Sequence, residues 1–348
     1  MKPAPSVKHA SIKHIAVLAP NWLGDAAMAT PVLRVLHKRF PDAQQTVVAR
    51  PAVRALLDGL PYVNRFITIP DKAGIMDMVR ARRHVDPIDL AVILPHSFRS
   101  ALLARMLGAR RRLGYDRAGR RFLLTTRVPP YRVNSKVAPI YMTLEYLHLV
   151  EAIGCADDGE GLELHAPSAE VDRIKRVVAG DGPLIAFTPG AAFGPAKLWP
   201  PERYAVVADT LREQIGARCI VLTGPGEEEV RTAVQRAAKQ PLIEVDSGAP
   251  SLDTLKAAIA QSDLLIGNDS GPRHIAVALG VPVVCVMGPT APVYSEGPYE
   301  VGRVLRVDVD CGPCQQPVCR TDHRCMTRIS PEWVAETAQS ILRKNIAV

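Results

Sequence analysis

The chain has 348 residues, 47% of them hydrophobic and 22% charged, a composition that excludes a disordered or fibrous protein. No apolar run approaches the ~20 residues that span a bilayer, and the basic N-terminus MKPAPSVKHASIKH lacks the apolar core of a secretory signal, so a cytoplasmic location is expected. The net charge is +8, with Arg80, Arg82, Arg83, Arg105, Arg110–Arg112, Arg117, Arg120 and Arg121 concentrated in the first half, which suits a polyanionic or membrane-surface partner. Only 5% of residues are aromatic and no nucleic-acid module is visible, so no nucleic acid is expected.

The first half alternates strand and helix. A strand is predicted over His14–Ala19, followed by the loop Pro20–Asp25 and a helix from Ala26 to Phe40. Strands follow at Gln45–Ala49, Arg65–Ile69 and Leu90–Leu94, with helices at Ala52–Leu57, Ile75–His84 and Ala101–Met106. From Gly108 to Pro139 the rhythm breaks, and a long irregular basic segment is predicted. A helix over Ile140–Ile153 closes this half. Gly154–Pro167 reads as a linker with one short strand, Leu162–Leu164.

The second half repeats the pattern. Strands are expected at Leu184–Thr188, Cys219–Thr223, Leu242–Val245, Asp263–Ile266 and Val281–Met287. Helices are expected at Ala169–Val178, Pro201–Gln214, Glu227–Lys239, Leu252–Gln261 and through Ile275–Leu279. The expectation is an α/β chain of two Rossmann-like domains, residues 1–165 and 166–348, facing a central cleft.

No GxxxxGK[ST] and no GxSxG is present, and Glu229 stands where the third glycine of a dinucleotide fingerprint belongs after Gly224 and Gly226. The informative residues lie instead in loops that follow strands. In Asn268–His274 the helix N-terminus suits an anion: Asp269 or Ser270 can cap it, Gly271 permits close approach, and Arg273 and His274 add donors. Asp25 has the place of a helix cap or a base. Lys197 suits a surface charge or a phosphate clamp, Glu227 a helix dipole or ribose hydroxyls, and His274 a core position or a phosphate donor.

Four motifs, NWLGD, PHSFRSALLAR, PGAAFGPAKLWP and NDSGPRHIAVALGVPVVCVMGPT, stand in an order and spacing that resemble the heptosyltransferases of the lipopolysaccharide inner core, glycosyltransferase family 9. The FGPAKLWP form is most similar to the members that add the second heptose, lipopolysaccharide heptosyltransferase II. His96 and Ala192 depart from the Asn and Glu usual there.

The resemblance implies a GT-B fold. It implies an inverting transfer of L-glycero-D-manno-heptose from ADP-heptose to heptosyl-Kdo2-lipid A, by a monomer peripheral to the cytoplasmic face of the inner membrane. It further implies Asp25 as general base and Lys197 as catalytic cation. Donor residues are then Thr188, Gly190, Lys197, Thr223, Gly224, Glu227, Asp269, Ser270, Gly271 and His274, with Asp269 on the heptose hydroxyls. Acceptor residues are Asn21, Ser97, Arg99 and Arg120. No catalytic metal is expected. Alternatives are another acceptor, Kdo2-lipid A or a protein, and a non-catalytic binder of ADP-heptose; retention of Asp25 favours transfer.

Cys311, Cys314, Cys319 and Cys325 form a cluster whose soft sulfurs suit structural zinc or iron, with His323 as a substitute ligand. Disulfides or free thiols are the rival readings.

Overall fold

The computed structural model describes residues 12–71, 82, 86–134 and 136–346. The helix predicted at Ile75–His84 lies almost wholly outside them. The chain divides into two compact units, Met1–Leu164 and His165–Val348.

In the first unit, strands β1 (His14–Leu18), β2 (Gln44–Ala49), β3 (Arg65–Thr68), β4 (Leu90–Ile93), β5 (Arg111–Tyr115) and β6 (Thr126–Val128) form one sheet, ordered β3-β2-β1-β4-β5-β6. Every neighbouring pair is parallel. β1 and β4 are buried at every residue, as expected of strands covered on both faces. The helices are α1 (Leu23–Met28), α2 (Thr30–Arg39), α3 (Pro51–Leu57), α4 (Phe98–Met106) and α5 (Met142–Glu151). A short antiparallel hairpin, β7 (Arg132–Val133) with β8 (Lys136–Val137), follows β6.

Three expectations are corrected here. The single helix Ala26–Phe40 is two helices, α1 and α2. Pro31 has no N–H to give to the carbonyl of Ala27, and the Thr30 hydroxyl donates to it instead at 2.8 Å, so the axis breaks at this point. The segment 108–139 contains β5 and β6 rather than irregular chain. Leu113 and Tyr115 alternate inward, while the Arg112 guanidinium is absorbed by the carbonyls of Leu123 and Ala109, at 2.6 Å each. Leu162–Leu164 is no strand. The acidic segment instead grips α2: the buried Arg34 donates to both oxygens of Asp158 at 2.8 Å and to Glu163 at 2.7 Å.

In the second unit, β9 (Leu184–Thr188), β10 (Arg218–Val221), β11 (Leu264–Asn268), β12 (Val283–Val286) and β13 (Gly302–Leu305) form a parallel sheet, ordered β10-β9-β11-β12-β13. Its helices are α6 (Ser168–Val177), α7 (Pro201–Ile215), α8 (Glu228–Ala237), α9 (Leu252–Ala260), α10 (Gly271–Ala278), α11 (Arg324–Thr327) and α12 (Pro331–Ile346). The strand expected at Leu242–Val245 reduces to one bridge, Ile220 to Ile243. Trp199, Tyr204, Val207, Leu211, Phe187, Ile266 and Val334 share one core. Among the described residues no helix is long and apolar enough to cross a membrane.

Candidate active site

Strand order locates a binding position in each unit. Where two adjacent parallel strands send their connections in opposite directions, the loops at their carboxyl ends separate and leave a crevice. In the second unit this occurs between β9 and β11, because β9 leads to β10 on one side and β11 leads to β12 on the other. In the first unit it occurs between β1 and β4.

At the β9/β11 position, Asn268 ends β11 fully buried. Its amide nitrogen donates to Pro189 O at 2.6 Å, and its oxygen accepts from Trp199 N at 3.1 Å and from the Tyr204 hydroxyl at 2.8 Å. The Gly/Pro loop after β9 is thereby tied to β11, and Lys197 emerges from a 3-10 turn at that loop's end. The Lys197 ammonium donates to Asp269 O and to Asp269 Oδ2, both at 2.7 Å, and lies 5.1 Å from the centre of the Phe193 ring.

Asp269 does not present a free carboxylate to a sugar. Oδ1 accepts from Arg273 Nη1 at 2.8 Å and from Ser295 Oγ at 3.2 Å, while Oδ2 accepts from Lys197 and from Thr290 Oγ1 at 2.7 Å. Burial opposes its charge, but Lys197 and Arg273 hold its carboxyl well below the usual carboxylate range. Arg273, with no exposed surface, is balanced on its other side by Glu300 at 2.8 Å. Asp269, expected on the heptose hydroxyls, here has both carboxylate oxygens bonded to side chains of the protein.

Neither Asp269 nor Ser270 caps α10 with its side chain. The Ser270 Oγ is buried without a partner, and so is Thr188 Oγ1 at the end of β9, over Gly267, where a Cβ would stand 2.0 Å from that oxygen. Two buried hydroxyls therefore lie unpartnered at the strand ends, beside the N-terminus of α10, where Pro272 has no N–H and Arg273 N donates to Ser270 O at 3.2 Å. Gly271 is the first residue of α10, and His274 is buried in its first turn. Burial, then the Arg273 charge, pushes the His274 imidazole down to about 3, so it is neutral at pH 7.

Glu227 joins the loops after β9 and β10. Its Oε2 accepts from Gly224 N at 2.7 Å, and its carboxyl also takes the Ala191 N–H. A Cβ on Gly190 would lie 1.8 Å from the same oxygen, so a side chain there would have to displace the Glu227 carboxyl. Burial raises the Glu227 carboxyl above its ordinary value. Thr223 is buried just beyond β10.

At the β1/β4 position, Asp25 is half-buried in the first turn of α1, with Asn21 exposed ahead of it. Ser97 is the N-cap of α4, accepting from Ser100 N at 3.2 Å, and Arg99 is exposed in the first turn. Arg120, expected on the acceptor, has no exposed surface and spans the carbonyls of Tyr115, Pro95 and Ser97, with Nη2 left unpartnered. It holds the Ser97 loop in place.

Sequence reasoning missed Glu145. Arg117 Nη1 donates to its Oε1 at 3.1 Å, and His96 Nε2 lies 3.4 Å away without hydrogen-bond geometry. Burial raises the Glu145 carboxyl and the neighbouring Asp25 charge raises it further, against the lowering by Arg117 and His148. Burial and the charges of Arg117 and Arg120 push His96 down to about 4. An acid set between apolar residues in the first turn of α5 was the available signal.

The four clustered cysteines, with His323, line one cavity of about 170 Å³. All four are unpaired, and among the described residues no three His, Cys, Asp or Glu side chains are grouped closely enough to hold a metal ion. His323, expected as a substitute ligand, has its Nε2 2.8 Å from Ala196 O instead.

Residues 79–324 match the model of glycosyltransferase family 9 (heptosyltransferase). Lipopolysaccharide heptosyltransferase 2 of Escherichia coli K12 is 29% identical over 351 residues, covering 96% of this chain and 99% of its own. Among solved structures, a family 9 glycosyl transferase from Veillonella parvula superposes with a TM-score of 0.86 at 25% identity, over 98% of this chain and 99% of its own. ADP-heptose LPS heptosyltransferase II of E. coli superposes with a TM-score of 0.78 at 27% identity, over 95% and 99%. These neighbours share the GT-B fold.

Proposed function

The chain belongs to glycosyltransferase family 9, the heptosyltransferases, and on that premise we propose that it transfers L-glycero-D-manno-heptose from ADP-heptose to heptosyl-Kdo2-lipid A in building the lipopolysaccharide core. The observation that carries this reading is the anion position between β9 and β11. There Lys197 is held by Asp269, beside the N-terminus of α10 and the unpartnered Ser270 hydroxyl. A diphosphate satisfies all three.

In this reading the second unit binds the donor and the first binds the acceptor. Glu227, poised between the loops that carry Gly190 and Gly224, takes the ribose hydroxyls. Asp25 removes the proton from the attacking acceptor hydroxyl as that oxygen bonds to the anomeric carbon. The glycosidic bond to ADP breaks on the opposite face, so the configuration inverts through an oxocarbenium-like state. Negative charge grows on the leaving diphosphate, where Lys197 and the N–H groups of Ser270 and Gly271 meet it. Asn21, Ser97 and Arg99 hold the acceptor, and Arg120 positions their loop. The enzyme works as a monomer at the cytoplasmic face of the inner membrane.

We propose further that Cys311, Cys314, Cys319 and Cys325 close on structural zinc or iron. Four sulfurs around one cavity are a chemically suitable donor set. Elemental analysis of wild type and Cys319→Ser tests this, and metal-free wild-type protein would end the idea.

The functional test measures transfer from ADP-heptose to heptosyl-Kdo2-lipid A with wild type and Asp25→Ala, alongside ADP titrations of both. Turnover by wild type, with normal ADP affinity but no turnover in the variant, is expected. Binding of ADP-heptose without transfer to any core acceptor would overturn the assignment.

A further inference from the structure

Among the described residues of the first unit, the large apolar side chains left exposed are Trp22, Phe98, Phe122, Tyr131, Val133 and Val137. Their positions are not scattered. Trp22 follows β1, Phe98 follows β4, Phe122 lies on the connection leaving β5, and the other three lie on the β7–β8 hairpin that follows β6. All six strands of the main sheet run parallel, so segments leaving their carboxyl ends gather at one edge. Phe98 and Phe122 meet there, with ring centroids 5.8 Å apart. The described residues 40–43, 58–64, 86–89 and 107–110, which lead into β2, β3, β4 and β5, expose no large apolar side chain.

The charge at this edge has one sign. Residues 95–140 contain ten arginines and Lys136 against a single acid, Asp116. Arg99, Arg132 and Lys136 are exposed, and Arg121 is 70% exposed with only a 3.8 Å approach to Asp116. Exposed aromatic rings set among cations suit the headgroup layer of a bilayer, where rings rest at the interface and Lys and Arg meet anionic lipid. A surface so poor in acid has little to offer a basic or neutral protein partner.

We propose that this edge of the first unit docks on an anionic bilayer, with Phe98 and Phe122 entering the headgroup layer and Arg121, Arg132 and Lys136 meeting lipid phosphates. The proposal rests on the reading that the acceptor is lipid-linked. Asp25 lies at the same edge, in the first turn after β1, so docking carries the base to the surface where such an acceptor is held.

The test is co-sedimentation of the full chain with phosphatidylcholine vesicles, with and without phosphatidylglycerol. It is run on wild type, Phe122→Ser and Arg121→Glu, with gel filtration and transfer to a deacylated, water-soluble acceptor measured in parallel. Wild type is expected to bind only the anionic vesicles and to release in high salt. Each variant should bind about tenfold more weakly, while retaining its transfer to the soluble acceptor. Vesicle binding that is absent in wild type, or equal in wild type and both variants, overturns the proposal. So does a dimer in wild type that Phe122→Ser converts to monomer, because the edge then joins two copies. Transfer to the soluble acceptor without vesicle binding sinks this inference alone; vesicle binding without any transfer sinks the functional reading alone.

Discussion

Lys197 and Asp269 are joined twice: the ammonium reaches both the main-chain carbonyl and the carboxylate of the aspartate, each at 2.7 Å. The second carboxylate oxygen is taken by Arg273, so one buried anion fixes two cations. The pair is a geometric device as much as an electrostatic one, because it aims the lysine from a loop that has no regular structure of its own beyond one 3-10 turn.

Removing the anion should therefore be worse for the fold than removing the lysine. Asp269→Asn leaves Lys197 without its counter-charge and Arg273 with Glu300 alone, and a loss of about 3–5 kcal/mol in urea unfolding is expected. Lys197→Met leaves Asp269 its bonds to Arg273, Thr290 and Ser295, so the loss of stability is smaller, while transfer falls about 10²–10³-fold. A Lys197→Met enzyme with wild-type turnover would remove the lysine from the mechanism.

Gly190 and Glu227 should behave as a pair. A methyl at position 190 must displace the Glu227 carboxyl, and Gly190→Ala is expected to weaken ADP binding at least about tenfold. Glu227→Ala weakens it as well. Calorimetry of the double variant should show far less than the sum of the two losses; full additivity would mean that the residues act independently.

Asn268 is a structural keystone of the donor loop. Asn268→Leu strands Trp199 N, the Tyr204 hydroxyl and Pro189 O in the interior. Each stranded group costs about 1–3 kcal/mol, so denaturant unfolding should register a loss of several kcal/mol. A variant as stable as wild type would show that the loop is tied elsewhere.

His96 and His274 set an acid limit on stability. Both are held below the ordinary histidine value, at about 4 and about 3, so they stay neutral when folded and take up a proton when unfolded. Below about pH 6.5 the unfolded state binds more protons, and stability is lost as pH falls from there toward the folded values. Each histidine contributes up to about 1.4 kcal/mol per pH unit across that window. Unfolding curves between pH 7 and pH 4 should show His274→Gln with a shallower slope than wild type; parallel slopes would exclude His274 as a source.

Several local features were legible because they depend on neighbours in sequence. Leu184–Thr188 reads as a buried strand from its unbroken apolar run, and Gly280 and Pro282 mark the end of the helix that follows β11. The break at Thr30–Pro31 was overlooked in a helix read as continuous from Ala26 to Phe40, although Pro31 has no N–H with which to complete a helix bond. β5 was hidden because its arginines mask an alternation, Leu113 and Tyr115, that becomes evident only when Arg112 is seen spent on nearby carbonyls.

By itself the sequence determined the βα rhythm, the loops that carry chemistry and the motifs of the family, since strands, turns and helix starts are set by patterns a few residues long. Only the tertiary structure decided which side chains are free to act. Lys197 and Asp269 are 72 residues apart in the chain, Arg120 and the Pro95 carbonyl 25, and Arg117 and Glu145 28. A carboxylate or guanidinium looks the same in a sequence whether it faces a ligand or is already satisfied. Its role depends on partners that distant segments bring within hydrogen-bonding distance, and on the burial that makes those partners necessary.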